Sequence, residues 1–285
     1  ISGGADQSRF SIGSATGVLS FIAAPDFESP TDANTNNIYE VVIQVSDGTS
    51  GAATKAVSIS VDDVNEAPLI TSPASLEAPE NSTSSVATIL ATDPDGDTLS
   101  FTLIGGADQS RFTIGSSSGT LNFISVPNFE IPSDANGDNL YELQVHVSDG
   151  KGLLASRNIT VSVKNVNEPP YYLIGVSRQI AENIDTSVIP FLATDPDGDA
   201  LTYSVSGGAD QGRFSIGGST AILNFTSVPD FEMPSDSNGD NIYEVSIQAS
   251  DGQYLSDELS VTVEILDVNE APTFTSSNSA AVPEN

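Results

Sequence analysis

The sequence predicts an all-β chain of tandem β-sandwich domains, each of about seven short strands. Three observations carry this. One set of motifs returns at a fixed spacing along the chain. Apolar and polar residues alternate over short runs, the period of a strand with one wet face. Gly, Pro, Asn and Asp gather between those runs, where turns are needed.

The spacing comes first. "GGADQSRF" stands at 3–10 and returns 102 residues later at 105–112, and "GGADQGRF" stands 102 further on at 207–214. The same step relates "DFE" 26–28, "NFE" 128–130 and "DFE" 230–232. It relates "VSDG" 45–48, "VSDG" 147–150 and "ASDG" 249–252, and likewise "NEAP" 65–68, "NEPP" 167–170 and "NEAP" 269–272. "PEN" 79–81, "AEN" 181–183 and "PEN" 283–285 follow. A register this long means copies of a whole domain, not a solenoid of short units. The Pro-bearing linkers set the cuts: the later part of a first copy at 1–66, a second at 67–168, a third at 169–270 and the start of a fourth at 271–285. The chain therefore reads as an internal piece of something longer. Its first copy lacks opening strands and is expected to expose an edge.

Within the second copy the elements follow in order. A short segment near 69–78 opens it, and "SVATILA" (85–91), "LSFTLIG" (99–105), "RFTI" (111–114) and "GTLNFI" (119–124) are strand candidates. In "NLYELQVHV" (139–147), Tyr141, Leu143, Val145 and Val147 share one face. In "RNITVSVKNV" (157–166), Ile159, Val161 and Val163 do the same. Such alternation predicts antiparallel sheets. No helix is signalled.

Composition narrows the function. The 285 residues carry 39 Asp and Glu against 8 Lys and Arg, a net charge of −31. Nucleic acid and anionic membrane surfaces would be repelled, so cations are the natural partners. Regular Val, Ile, Phe and Tyr patterns argue against disorder. There is no Cys and one His, which excludes disulfides and thiolate metal sites. No apolar run is long enough to span a membrane. The third copy has no His, so a Ser-His-Asp arrangement cannot repeat with the domain, and no phosphate loop opens a helix. The paired carboxylates fall at domain ends rather than in a cleft, a poor fit to glycosidase chemistry. The reading is that this is not an enzyme.

The acidic motifs offer other chemistry. "ATDPDGD" at 91–97 and 193–199 sets Asp93, Asp95 and Asp97, then Asp195, Asp197 and Asp199, at alternate positions. A solvated turn accounts for either loop alone. Convergence on a hard cation accounts for the repetition, and oxygen donors without His or Cys select Ca²⁺. "SDANGDN" (133–139) and "SDSNGDN" (235–241) have the opening spacing of a calcium loop in Asp134, Asn136 and Asp138, and in Asp236, Asn238 and Asp240. The closing Glu is missing, so a solvated loop and an extra ion both stand.

The order PEN, DPD, DFE, VSDG, DVNEAP over each copy resembles the cadherin repeat, more closely the cadherin-like repeats of large bacterial surface and secreted adhesins. The resemblance covers the whole chain. It implies Greek-key, immunoglobulin-like sandwiches with Ca²⁺ at the joints between consecutive copies. Carried over, the first joint uses Asp26, Glu28, Asp63, Asn65 and Glu66 with Asp93, Asp95 and Asp149. The second uses Glu80, Glu130, Asn167 and Glu168 with Asp195, Asp197 and Asp251. Glu182, Asp230, Glu232, Asp267, Asn269 and Glu270 form half of a third. The linker departs from the family in carrying Glu for Asp and in being one residue shorter. Asn128 and Asn165 replace the Asp found at the other copies, so the second joint is expected to bind more weakly.

The implied function is calcium-dependent stiffening of an extended, extracellular adhesin, its partners being calcium ions and neighbouring repeats. The alternative is a calcium-dependent module that binds polysaccharide or a homophilic partner repeat. That reading needs a cluster of exposed aromatics, and Tyr171 with Tyr172 is the one candidate.

Overall fold

The structure, a computed structural model, describes residues 1–173, 176–184 and 186–274, without the side chain of Val176. The last PEN motif, 283–285, and most of the expected fourth copy lie outside the described residues. The chain divides into two compact units, Ile1–Asn165 and Val166–Asn285.

In the first unit, a four-stranded sheet runs in the order Ser75–Pro79, Leu154–Lys164, Leu140–Ser148, Ser100–Gly105. A three-stranded sheet runs Phe112–Ile114, Thr120–Phe123, Ala87–Thr88. The alternation on Leu140–Ser148 explains why they meet. Tyr141, Leu143, Val145 and Val147 are all buried, and they join one core with Ile159, Val161 and Val163 of the neighbouring strand and with Phe112 and Leu121 of the other sheet. Each such side chain contributes about 1.5–3 kcal/mol when fully buried. The fold is the all-β sandwich that the sequence predicts.

Two details differ from the sequence expectation. Ser75–Pro79 pairs in parallel with Leu154–Lys164, and Val176–Ala181 pairs in parallel with Leu259–Leu266 in the second unit. Period two reports that one face is wet, not which way the neighbour runs. The run at 85–91 is not one strand either. Ala87–Thr88 pairs with Thr120–Phe123, and Ala91–Thr92 pairs with Leu69–Ile70. Between them Ile89 is buried, while Leu90 is exposed and donates its amide to Ser72 Oγ at 2.6 Å. The chain changes sheets there.

The GGADQ motif is a structural clamp. Gly106 has φ of 98°, and a Cβ there would lie 2.2 Å from the Glu142 carbonyl oxygen, so only glycine fits. A three-residue 3-10 turn, Gln109–Arg111, follows and delivers Phe112 to the core, against Phe123 at 4.3 Å between ring centres. Asp108, 3% exposed, accepts the Ala135 amide on Oδ1 at 2.7 Å and the Glu142 amide on Oδ2 at 2.8 Å. Asp6 and Asp210 hold the matching amides of Ala33 and Glu40, and of Ser237 and Glu244.

The N-terminal part of the first unit keeps these devices on a smaller core of Phe10, Tyr39 and Val41. Val45 is 70% exposed, where its counterpart Val147 is fully buried. Among the described residues, no strand like Ser100–Gly105 covers that end of Ile38–Ser46. Among the described residues, the second unit has seven strands. Its four-stranded sheet is Val176–Ala181, Leu259–Leu266, Ile242–Ser250 and Thr202–Gly207, and its three-stranded sheet is Ser187–Pro190, Ile222–Phe225 and Phe214–Ile216. They enclose Tyr243, Val245, Ile247, Val261 and Val263.

Asp108→Asn turns one carboxylate oxygen into an amide that faces a backbone N–H. We expect it to cost about 1.5–3 kcal/mol, read as a lower urea midpoint at unchanged slope. An unchanged midpoint would show that the clamp is dispensable.

Candidate metal centres

The linker after Ala52–Ser60 carries Asp63, Asn65 and Glu66 to the loop that follows Ala91–Thr92. Two contacts hold it. The Glu66 amide donates to Asp95 Oδ2 at 2.8 Å, and Asn65 Nδ2 donates to Asp149 Oδ2 at 2.7 Å. The Asp95 loop is shaped by its own first residue, since Asp93 Oδ1 accepts the amides of Asp95 and Asp97. Gly96 supplies the positive φ, 76°, that the bend requires.

This geometry gathers two groups of carboxylates. Glu28, Asp63, Glu66 and Asp95 bring one oxygen each within 4.8 Å of one another, and Asp93, Asp95 and Asp97 do likewise. Asp95 belongs to both. Asp93 Oδ2, Asp95 Oδ1, Asp97 Oδ2 and Asn65 Oδ1 are buried and have no hydrogen-bond partner. Buried oxygens left unpaired cost free energy. The crowding also shows in Glu66, whose carboxyl is pushed above its ordinary value by desolvation and by the charges of Glu28, Asp95, Asp63 and Asp26. A hard cation wants six to eight such oxygens in a flexible arrangement, and this donor set fits Ca²⁺.

Asp149 and Asp26 play other parts. Asp149 is 4% exposed, and its oxygens take the Asn65 side chain and the amides of Lys151, Gly152 and Leu153. The Asn65 donor and those amides hold its carboxyl below the ordinary value, against desolvation. Asp26 lies outside both groups and accepts the Ser29 amide at 2.8 Å. Asn128 and Asp230 accept the equivalent amides of Ile131 and Met233, a turn contact that Asn makes as well as Asp. Glu80, 2% exposed, accepts the Phe129 amide at 2.7 Å, and Glu130 is half-buried beside it in sequence.

In the second unit, Asn167 Nδ2 donates to Asp251 Oδ2 at 2.8 Å and the Glu168 amide donates to Asp197 Oδ2 at 2.9 Å. This is the linker geometry of the first unit again. Asp195 Oδ2 and Asp197 Oδ1 are buried without partners, whereas Asp199 is exposed. Glu182, fully buried, forms a group with Glu232 and Asp267 and accepts the amides of Phe231 and Val268. Glu232 is pushed up by desolvation and by Glu182, Glu270 and Asp267. Glu270 accepts from Asn183 Nδ2, and Asn269 is exposed outside the group.

The SDxNGDN loops are arranged differently. Asp134 Oδ2 accepts the amides of Gly137 and Asp138, and Asp138 Oδ1 accepts that of Leu140 while its Oδ2 takes Asn136 Nδ2. Asp236, Asn238 and Asp240 repeat those contacts. The loop's own amides occupy these oxygens, apart from Asp236 Oδ1.

The family model described as "Bacterial Ig domain" matches residues 65–162 and again 167–264, more than half of the chain. The chain belongs to the bacterial Ig domain family. Its curated relatives are cadherins. It is 28% identical to human Protocadherin Fat 4 over 89% of this chain and 5% of that protein. It is 29% identical to human Protocadherin-16 over 96% of this chain and 8% of that protein. This bacterial Ig domain chain thus spans under a tenth of the length of either. Solved structures share the fold: human Protocadherin-24 EC1-2 at a TM-score of 0.54 and 20% identity, covering 72% of this chain and 100% of that one; and mouse Cadherin-23 EC22-24 at 0.51 and 19%, covering 91% and 83%. The tandem repeats are cadherin-like, as the motif order implies.

A depressed carboxyl stabilises the fold above its unfolded value, and that contribution is lost as pH falls through the folded one. Asp149 therefore contributes fully above 3.8 and loses its contribution below it. Asn65→Ala removes its main donor. We expect a lower urea midpoint at about pH 7 in chelator, with the gap to wild type narrowing as pH falls below 3.8. A gap that persists in acid would assign Asn65 a packing role instead.

Proposed function

We propose that this chain is a cell-adhesion repeat region of an extracellular protein, in which Ca²⁺ at the joints between consecutive repeats stiffens an extended stalk. One observation carries the reading: Asn65, Asp93, Asp95 and Asp97 each keep a buried, unpartnered oxygen, and Asp95 also groups with Glu28 of the DFE motif and with Asp63 and Glu66 of the linker. The cadherin relatives support the adhesive role, and the excess of acidic side chains supports a cation as partner.

The chain's residues divide the work. Asn65 and the Glu66 amide tie the linker to the loop ends. Asp93 orders its loop through two amides and keeps its second oxygen free. Asp95, common to both groups, couples linker to loop. Bound Ca²⁺ supplies positive charge to carboxylates that otherwise repel, about 1 kcal/mol per pair at 4 Å even in bulk water and more where water is thinned. In the folded chain alone are these oxygens gathered, so binding also stabilises the fold.

The saccharide alternative gains less support. Tyr172 packs against the core with its hydroxyl buried, and only Tyr171 of the pair is exposed. Burial pushes the Tyr172 hydroxyl up to about 12.

Calcium titration of the chain tests the proposal. At a hundredfold excess over Kd, stabilisation should reach roughly 2.7 kcal/mol per site. Small-angle scattering should show a longer, stiffer particle than in chelator. Asp95→Asn should weaken binding on the order of a hundredfold, since it reduces charge in two groups. No calcium-dependent change at roughly 10 mM, a weak extracellular regime, would sink the reading.

A further inference from the structure

Lys151 stands beside the Asp93–Asp95–Asp97 group. Its amide is pinned by Asp149 Oδ1 at 2.8 Å, and its Nζ reaches Asp97 Oδ1 at 2.7 Å. The Asp97 side chain is only 14% exposed, and its other oxygen is buried without a partner. Behind it lie the unpartnered oxygens of Asp93 and Asp95. With 8 basic residues in the chain, a lysine placed here is not a matter of abundance. One repeat step earlier the position is Thr49, and one step later it is Gln253. The charge belongs to this loop alone.

We infer that Lys151 is a built-in counter-cation of the Asp93–Asp95–Asp97 group, competing with Ca²⁺ for Asp97 and setting the affinity of this site below that of the bare carboxylates. The inference rests on the calcium reading above and deepens it. The ammonium neutralises part of the charge that would draw a divalent ion, and it occupies one oxygen of the set. The lysine stem is 55% exposed, so it can swing out when the oxygen is taken. This lowers the first joint against the ranking expected from Asn128 and Asn165. It makes uptake at this loop depend on ionic strength, because an exposed ammonium is screened by salt.

The test is a calcium titration of the full chain followed by amide NMR, reading Gly96 in this loop and Gly198 in the equivalent loop of the second unit. In Lys151→Gln, which copies Gln253, the Gly96 midpoint should fall on the order of tenfold in calcium while the Gly198 midpoint stays. Lys151→Arg should keep the wild-type midpoint, and raising KCl should narrow the gap between Lys151→Gln and wild type. If both amides respond but the Gly96 midpoint does not move in Lys151→Gln, the inference falls and the calcium reading stands. If neither amide responds to calcium, both fall together.

Discussion

A shortage of positive charge governs this structure. With 39 acidic side chains and 8 basic ones, most carboxylates cannot be satisfied by ion pairs. Backbone amides take that role instead. Asp108 ties a loop to a strand through two amides, Asp149 closes the hairpin loop through three, and Glu80 and Glu182 each anchor the Phe of an NFE or DFE motif through its amide. A charged acceptor makes a stronger hydrogen bond than a neutral one, so each of these carboxylates acts as a staple in a chain without disulfides.

The same shortage defines the candidate site. Amides can satisfy a carboxylate only where strands and turns bring them. At the loop 93–97 and the linker that meets it, two amides serve Asp93 Oδ1, the Glu66 amide serves Asp95 Oδ2 and Lys151 takes Asp97 Oδ1, while Asp93 Oδ2, Asp95 Oδ1, Asp97 Oδ2 and Asn65 Oδ1 have nothing to accept. The site is the place where the backbone's supply of donors ends. This also separates it from the SDxNGDN loops. Those have the spacing of a calcium loop, but the turn's own N–H groups have already claimed most of the oxygens.

That division explains what could be read from the sequence. The strands of the hairpin Leu140–Ser148 and Leu154–Lys164 were legible because burial on one face enforces a period of two. The parallel pairing of Ser75–Pro79 was not, because side-chain alternation is blind to strand direction. The split at Ile89 was hidden by a continuous apolar run. Asp93, Asp95, Glu28 and Glu66 were legible as candidate metal-site residues because repetition at a fixed step set them apart from ordinary turns, and the structure gathers their carboxylates into two groups. The GGADQ motif reads from sequence as structural, a Gly turn with a buried Phe and a charge near the core edge, but the two amides that Asp108 clamps come from residues 135 and 142, too far along the chain to be read from the motif. The structural role shows in the invariance of GGADQ over three copies, which a surface turn does not need. Lys151 was missed because it breaks the repeat, and an exposed lysine after Asp-Gly draws no notice until its partner is seen.

The linker asparagine brings these threads together. Asn65 and Asn167 each direct Nδ2 at the carboxylate of the VSDG or ASDG loop, Asp149 or Asp251. An aspartate there would set two negative charges within hydrogen-bond distance and drive linker and loop apart. A carboxamide attracts on one side and offers a carbonyl oxygen on the other. In the first unit that oxygen is the buried, unpartnered Oδ1. The amide donor thus holds the linker to the loop and leaves its own acceptor buried and unused. Neutral asparagine amid so many acids, with the Glu66 amide beside it, holds the linker to the loop without adding charge. What a cation would then add is charge, on a set of oxygens that the chain has already brought together.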